Sequence, residues 1–219
     1  MPLSPTTALS LVDQAIEGMR GLLASGEWQV GMRIPPEPAL AEALGVSRNT
    51  VREAVRALAH TGVLEVRRGD GTYVAAPNEV TALVRQQLAR TDLRHVLEVR
   101  HAIESQAAAL AAERRSAKDL RVLERALGRR DRAVATQDEE GFVDADADFH
   151  LGVVAAAHNP LLVELYGGFA DNLRSSILLP LAHDDALRGE HVALLEAIRS
   201  RDPEAAAAAT GRLLAGVGH

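Results

Sequence analysis

Residues 144–150 read DADADFH, and the chemistry they could do depends on which way each side chain points. On a helix, positions three or four apart share a face. Asp146 then lies with Phe142, Phe149, His150 and Val153 in one apolar stripe, whereas Asp144 and Asp148 fall on the opposite, solvent side. A carboxylate and an imidazole taken out of water without partners are costly, so this inward pair needs a compensating charge or proton. A divalent cation is one such partner, because Asp and His one turn apart can reach one centre. Further on, His191 shares a face with Leu187, Leu194, Leu195 and Ile198 and also points inward. One carboxylate and two imidazoles match the composition favoured by Zn²⁺, Ni²⁺, Mn²⁺ or Fe²⁺. The alternative is a metal-free pocket in which Asp146 pairs with protonated His150 or with an arginine.

A second constellation lies after Ser47. If residues 48–60 are helical, Val51, Ala54, Val55 and Leu58 fall together, and Asn49, Arg52 and Arg56 fall opposite, with Arg48 at the edge of the first turn. Arginine can bond guanine O6 and N7 in bidentate fashion, and asparagine can do the same to adenine. A solvated arginine face would give the same wheel. The stretch that follows decides between them: VLEVRRGDGTYVAA alternates, turns through Gly69-Asp70-Gly71, and carries Arg67 and Arg68 beside two glycines. A short helix, a tight turn at Gly45, an Arg/Asn/Thr-rich helix and a basic hairpin make a winged helix-turn-helix, whose second helix enters the major groove.

The elements that position these groups are legible in outline. A helix with Leu11, Ile16, Met19 and Leu23 at helical spacing stops at Gly26, after a loose tail, MPLSPTT. Pro38 fits the first turn of a short helix ending at Gly45, Ser47 is an N-cap, and Gly62 follows the next helix. After Pro77 strand signals vanish, and about six alanine- and leucine-rich helical patterns run on. Ser116 with Asp119 reads as a capping box, and Asn159-Pro160 and Asp202-Pro203 read as cap-plus-first-residue pairs. The fold class is therefore mostly α, an N-terminal winged helix-turn-helix over residues 1–76 joined to an all-α helical bundle over residues 77–219. The formal net charge is −6, but a nearly neutral N-terminal part can still present a local basic face. Cysteine is absent, which excludes disulfides, thiolate catalysis and Cys-type zinc sites. With no long apolar run and no signal-peptide pattern, the chain reads as soluble, cytoplasmic and without a membrane partner.

The residues also carry a family resemblance. GMRIPPEPALAEALGVSRNTVREAVRALAHTGVLEVRRGDGTYV, residues 31–74, resembles the DNA-binding domain of GntR-type bacterial transcriptional regulators. The resemblance implies operator contacts by Arg48 and Arg52, supported by Ser47, Asn49 and Thr50, with Arg68 and Gly69 in the wing. Many members have Glu-Arg where this chain has Glu37-Pro38, and that arginine often contacts DNA. Pro38 cannot replace it, so that contact is lost or passes to Arg33. Residues 80–215 are similar to the FCD ligand-binding domain of the FadR-like subgroup, on the cues LEVRHAIESQAAALAAERR, DADFHLGVVAAAHNPLL and EHVALLEAIRSRDPEAA. That likeness implies a dimer and a small organic acid effector beside one divalent metal ion (Zn, Ni or Mn) on Asp146, His150 and His191. Metal-binding members add a third histidine on the last helix, and here that position is Leu213. Arg100 could clamp an effector carboxylate or form a surface or inter-helix salt bridge, and Asn172 and Arg174 could line the pocket.

The expectation is a homodimeric repressor that binds double-stranded, near-palindromic operator DNA and responds to a small carboxylate effector. Two rivals follow from the same residues. One is a metal-dependent enzyme built on Asp146, His150 and His191, against which stand the lack of an HExxH pattern and of an evident general base. The other is an architectural DNA-binding protein whose bundle is purely structural, predicting salt-sensitive, sequence-tolerant binding.

Overall fold

The computed structural model describes residues 9–169 and 185–215, and these divide between two compact units, residues 1–83 and 84–219. Asn172 and Arg174 lie outside the described residues.

The first unit opens with α1 (Leu11–Ala24), started by a reciprocal capping box in which Ser10 and Asp13 satisfy each other's backbone N–H groups. Its buried residues are Ala15, Met19 and Leu23. Leu11 was expected among them but is 58% exposed. An i, i+4 row drifts by about 40° per step, which carries Leu11 off the face centred on Met19. Then come α2 (Glu37–Leu44), with Pro38 in its first turn and left-handed Gly45 (φ 66°) as its C-cap, and α3 (Arg48–His60), capped by Ser47. Val51, Ala54, Val55 and Leu58 are all buried, packing with Met19, Trp28, Leu40 and Val63 into one core. The hairpin is β1 (Leu64–Arg67) paired antiparallel with β2 (Gly71–Val74). Unforeseen from the sequence, residues 31–34 add a third, strand-like edge. Gly31 N–H donates to Val74 O at 2.8 Å, Val74 N–H to Met32 O at 2.9 Å and Ile34 N–H to Thr72 O at 2.9 Å. Prolines follow directly at 35 and 36.

Helix α4 (Glu79–Leu88) crosses the division between the units. Within the first unit, its Glu79 takes Arg20 at 2.6 Å. Within the second, Val84 and Leu88 pack against Val96 and Tyr166.

The second unit continues with α5 (Leu93–Arg114), α6 (Ala117–Thr136), α7 (Glu139–Ala156), α8 (Pro160–Gly167), α9 (Asp185–Ser200) and α10 (Pro203–Ala215). With α4 this makes seven helices among the described residues, where the pattern suggested about six. The caps read from sequence are present: Ser116 with Asp119, Asn159 accepting from Leu161 and Leu162, and Asp202 accepting from Ala205. The core is small-residue packing, with Ala108, Ala111, Ala112, Ala126, Ala156, Ala206 and Ala209 around Leu123, Phe149, Leu194 and Ile198. Small side chains let helices approach closely, which brings the polar residues of several helices to one centre. At Gly152 a Cβ would lie 2.9 Å from a Leu123 methyl, so α6 and α7 touch there almost backbone to side chain.

Candidate nucleic-acid interface and buried charged site

The N-terminal unit presents its cations on one helix and one hairpin. Ser47 Oγ accepts from Thr50 N–H at 3.1 Å and lies 2.8 Å from Thr50 Oγ1, so these two residues fix the N-terminus of α3. From that turn, Arg48, Asn49, Arg52 and Arg56 all reach solvent. Arg52 Nε donates to Glu37 Oε2 at 3.2 Å, with both side chains at least a third exposed. Such a pair is worth little and is readily exchanged for a stronger anion. Glu37 thus holds Arg52 on the exposed face of α3.

On the wing, Arg67 pairs with Glu65 at 2.8 Å and stacks over the Tyr73 ring at 4.2 Å, while the Tyr73 hydroxyl donates to Asp70 at 2.9 Å. Arg67 is therefore engaged along the strand, whereas exposed Arg68 stands beside left-handed Gly69 (φ 78°) at the tip. Arg33 crosses the face of Gly71, where a Cβ would come within 2.5 Å of its Nε. The missing side chain at 71 is what lets Arg33 lie along the wing.

The second site is the inward half of DADADFH. Asp146 and His150 are 6% and 3% exposed, and His191 on α9 is 3% exposed. Asp144 faces solvent, and Asp148 is half-buried with Arg129 on its carboxylate at 2.7 Å. His191 Nε2 lies 3.0 Å from Asp146 Oδ1, and His150 Nε2 lies 3.6 Å from Asp146 Oδ2. The Phe149 ring stands edge-on to both imidazoles, 6.0 Å from His150 and 5.3 Å from His191.

Three further residues complete this centre. Glu104 on α5 is fully buried and takes His150 Nδ1 at 2.7 Å, Arg100 Nε at 2.9 Å and the Tyr166 hydroxyl at 2.5 Å. Arg130 on α6, equally buried, donates from Nε to Asp146 Oδ1 at 2.8 Å. Arg100 forms a buried ion pair within α5, one turn before its partner, and is not a surface bridge. Local sequence pattern does not single out Glu104, Arg130 or Tyr166 as parts of this site. Arg130 had a signal: it falls on the stripe of Leu123, Ala126, Leu127 and Ala133. Tyr166 had none, since one aromatic in a short apolar helix reads as core.

Charge states follow from these contacts. Burial would raise the Glu104 carboxyl, but the charges of His150 and Arg100 overcome it and hold Glu104 at about 2. Burial would lower His150, but the Glu104 charge and hydrogen bonds to Asp146 and Glu104 push it up to about 9. Asp146, likewise opposed by burial, is kept well below the usual carboxylate range by hydrogen bonds from His150 and His191. Burial and the Glu104 charge drive the Tyr166 phenol well above its usual value. At neutral pH, among the described residues, Arg100, Arg130 and His150 are positive against negative Glu104 and Asp146, one more positive than negative group before His191 is considered. A surplus buried charge calls for an anion.

The donors also fit a divalent cation. One carboxylate oxygen and two imidazole nitrogens of Asp146, His150 and His191 lie within 4.8 Å of one another. Glu104 on His150 Nδ1 directs the Nε2 atom towards the other two donors, the orientation that a carboxylate behind a ligating histidine provides. Leu213, buried at 2% on α10, adds no fourth donor.

Comparison with known proteins places both units. Residues 11–74 match the family described as bacterial regulatory proteins, gntR family, and residues 95–216 match the FCD domain. The galactonate operon transcriptional repressor of Escherichia coli (strain K12) is 31% identical, over 94% of this chain and 95% of that protein. The Uxu operon transcriptional regulator of the same organism is 32% identical, over 86% of this chain and 77% of that protein. Among solved structures, Streptococcus agalactiae GntR superposes with a TM-score of 0.62 at 28% identity, covering 94% of this chain and 98% of its own. These are regulators and not enzymes, which sets aside the reading of Asp146, His150 and His191 as a catalytic centre. No described helix is long and apolar enough to cross a membrane.

Proposed function

Because the chain belongs to the gntR family of bacterial regulatory proteins and carries an FCD domain, we propose that it is a repressor whose operator binding is set by a small carboxylate effector. A homodimer presents two copies of α3 to successive major grooves, and its twofold symmetry calls for a near-palindromic operator. Arg48, Asn49 and Arg52 read base edges; Arg33, Arg67 and Arg68 approach the backbone along the wing, and the cap at Ser47 and Thr50 sets the angle at which α3 enters.

The observation that carries the effector reading is the surplus positive charge of the buried site. A carboxylate entering there would meet Arg100, Arg130 and His150 and balance the extra positive charge among the described residues. One relative is named for the operon of galactonate, an aldonic acid. A hydroxycarboxylate adds hydroxyl groups that can answer the buried imidazoles. Asp146, His150 and His191 are the residues that would hold a divalent cation, which when bound would supply a further positive charge to polarise and orient the carboxylate.

The experiment is fluorescence anisotropy of the full chain with duplexes from the region upstream of its own gene, at physiological salt. One duplex should bind about a thousandfold or more tighter than random DNA. Short 2-hydroxy acids and aldonates, screened in turn, should include one that changes that affinity about fivefold or more. If no upstream duplex outbinds random DNA, the regulator reading fails. If specific binding is insensitive to every carboxylate while Arg100→Ala leaves it unchanged, the effector reading fails.

A further inference from the structure

Arg130 lies directly on the Asp146 carboxylate of the buried site. It sits on α6 on the apolar stripe of Leu123, Ala126, Leu127 and Ala133, and it is 2% exposed. Its Nε donates to Asp146 Oδ1 at 2.8 Å, and its guanidinium lies over the Phe142 ring, 4.6 Å from the centroid. The same Oδ1 atom has His191 Nε2 at 3.0 Å, while Oδ2 faces His150 Nε2 at 3.6 Å.

The carboxylate of the three-donor set therefore already has a cation in direct contact. An arginine keeps its charge at every accessible pH, and its planar fork, seated on an aromatic face, is fixed in direction. A divalent ion arriving at Asp146 would meet that charge within a few ångströms, in surroundings where water screens little. No fourth donor is available from Leu213 to offset the repulsion.

We propose that Arg130 is the resident counter-cation of Asp146, so that the pocket assembles without a metal, and that Arg130 and a divalent cation are alternative partners of that carboxylate. This deepens the reading of the buried site given above and rests on it, but not on the identity of the effector. A metal enters only by displacing Arg130 from Oδ1, so binding is weak and exchangeable in the native chain. Removing the arginine's charge turns the same three donors into a tight site.

The test uses the full chain, purified without an affinity tag, with metal content measured by elemental analysis and unfolding followed by calorimetry. The native chain should carry well under one equivalent of metal, and its unfolding midpoint should be the same in EDTA and in excess MnCl₂ or ZnCl₂. Arg130→Gln keeps a donor for Oδ1 without the charge, and Arg130→Met removes both. Each should lower the midpoint in EDTA, recover it with added metal, and bind Mn²⁺ or Zn²⁺ about a hundredfold or more tighter than the native chain by titration calorimetry. Adding Asp146→Asn to Arg130→Met should abolish the metal response.

Four outcomes overturn the proposal: native protein that holds a full equivalent of metal and loses stability in EDTA; variants that bind metal no tighter; variants that fold neither with nor without metal; or a metal response that survives Asp146→Asn. DNA anisotropy on the same preparations keeps the two readings apart. Specific operator binding with no gain of metal affinity sinks only the role of Arg130. A gain of metal affinity with no specific DNA binding sinks only the regulator reading.

Discussion

Replacing Glu104 by Gln removes one charge while keeping the side chain's shape, and the consequence can be worked from its surroundings. Glu104 is 2% exposed and holds Arg100, His150 and the Tyr166 hydroxyl together. Its displacement from 4.5 to about 2 favours the ionised form in the folded chain by about 3 kcal/mol, at about 1.4 kcal/mol per decade. The rise of His150 from 6.5 to about 9 reports largely the same contact, so the two figures are one interaction seen from both partners and are not added. Breaking a buried pair by removing one partner costs about 3–5 kcal/mol, which agrees. Glu104→Gln is therefore expected to lose about 3 kcal/mol, a fall of roughly 6–12 °C in Tm for a chain of this size.

The pH profile sharpens this. Glu104 has a depressed folded value, so its contribution is complete above 4.5 and fades as pH falls towards about 2. His150 has a raised folded value, so its contribution is complete below 6.5 and is lost as pH rises through about 9. Native stability in EDTA should then decline between pH 6.5 and 9, and Glu104→Gln should remove most of that alkaline slope. Urea unfolding at a series of pH values, with His150→Asn and the double variant, measures the coupling directly. Glu104→Gln within about 0.5 kcal/mol of the native chain, or a strictly additive double variant, would refute the reasoning.

Two further predictions concern the DNA face and a helix cap. Arg48→Ala and Arg52→Ala should each cost about 1–3 kcal/mol of operator affinity and relax specificity at one base pair. Arg68→Ala should instead weaken all duplexes alike and reduce the salt slope by about one; equal behaviour of the three in anisotropy across a salt series would remove the division between base and phosphate contacts. At the start of α6, Asp119 accepts from Ser116 and from His158 Nε2 at 2.9 Å. Asp119→Ala should lower stability by about 1–2 kcal/mol in chemical denaturation at neutral pH. Burial opposes ionisation of Asp119, but hydrogen bonds from Ser116 and His158 hold it below its usual value. The native advantage over the variant should therefore shrink on acidification, and a gap that grows instead would contradict the cap.

Helical phase made much of this structure legible before any coordinates. The split of DADADFH into buried Asp146 and His150 and outward Asp144 and Asp148 follows from 3.6-residue periodicity alone, as do the buried stripe of α3 and its arginine face. Caps were readable because Ser116, Asn159 and Asp202 carry short acceptors directly before helix-forming runs. The third edge of the wing was not readable, because it is made by backbone hydrogen bonds from residues 31–34 whose side chains carry no alternation. The partners of the buried pair were hidden for a different reason. Glu104, Arg130 and Tyr166 come from three helices distant in sequence, and local pattern cannot report which helix faces which. Phase on α6 shows that Arg130 points inward; only packing shows that Asp146 is what it meets.

That meeting bears on how an effector could act. The charged residues of the site stand on α5, α6, α7 and α9, with Tyr166 supplied by α8, so one network ties five helices through hydrogen bonds and ion pairs rather than through interchangeable apolar contacts. Apolar contacts among alanines tolerate small shifts, whereas a buried charge cannot be left without its partner. An anion that engages Arg100, Arg130 or His150 must therefore redistribute partners among Glu104, Asp146 and His191, and each redistribution moves a helix relative to its neighbours. Regulation still requires the effector to prefer one of those arrangements, since a ligand with equal affinity for both shifts nothing. In the proposed reading, the extra positive charge among the described residues would supply the affinity, and the number of helices sharing it would supply the means for that affinity to differ between states.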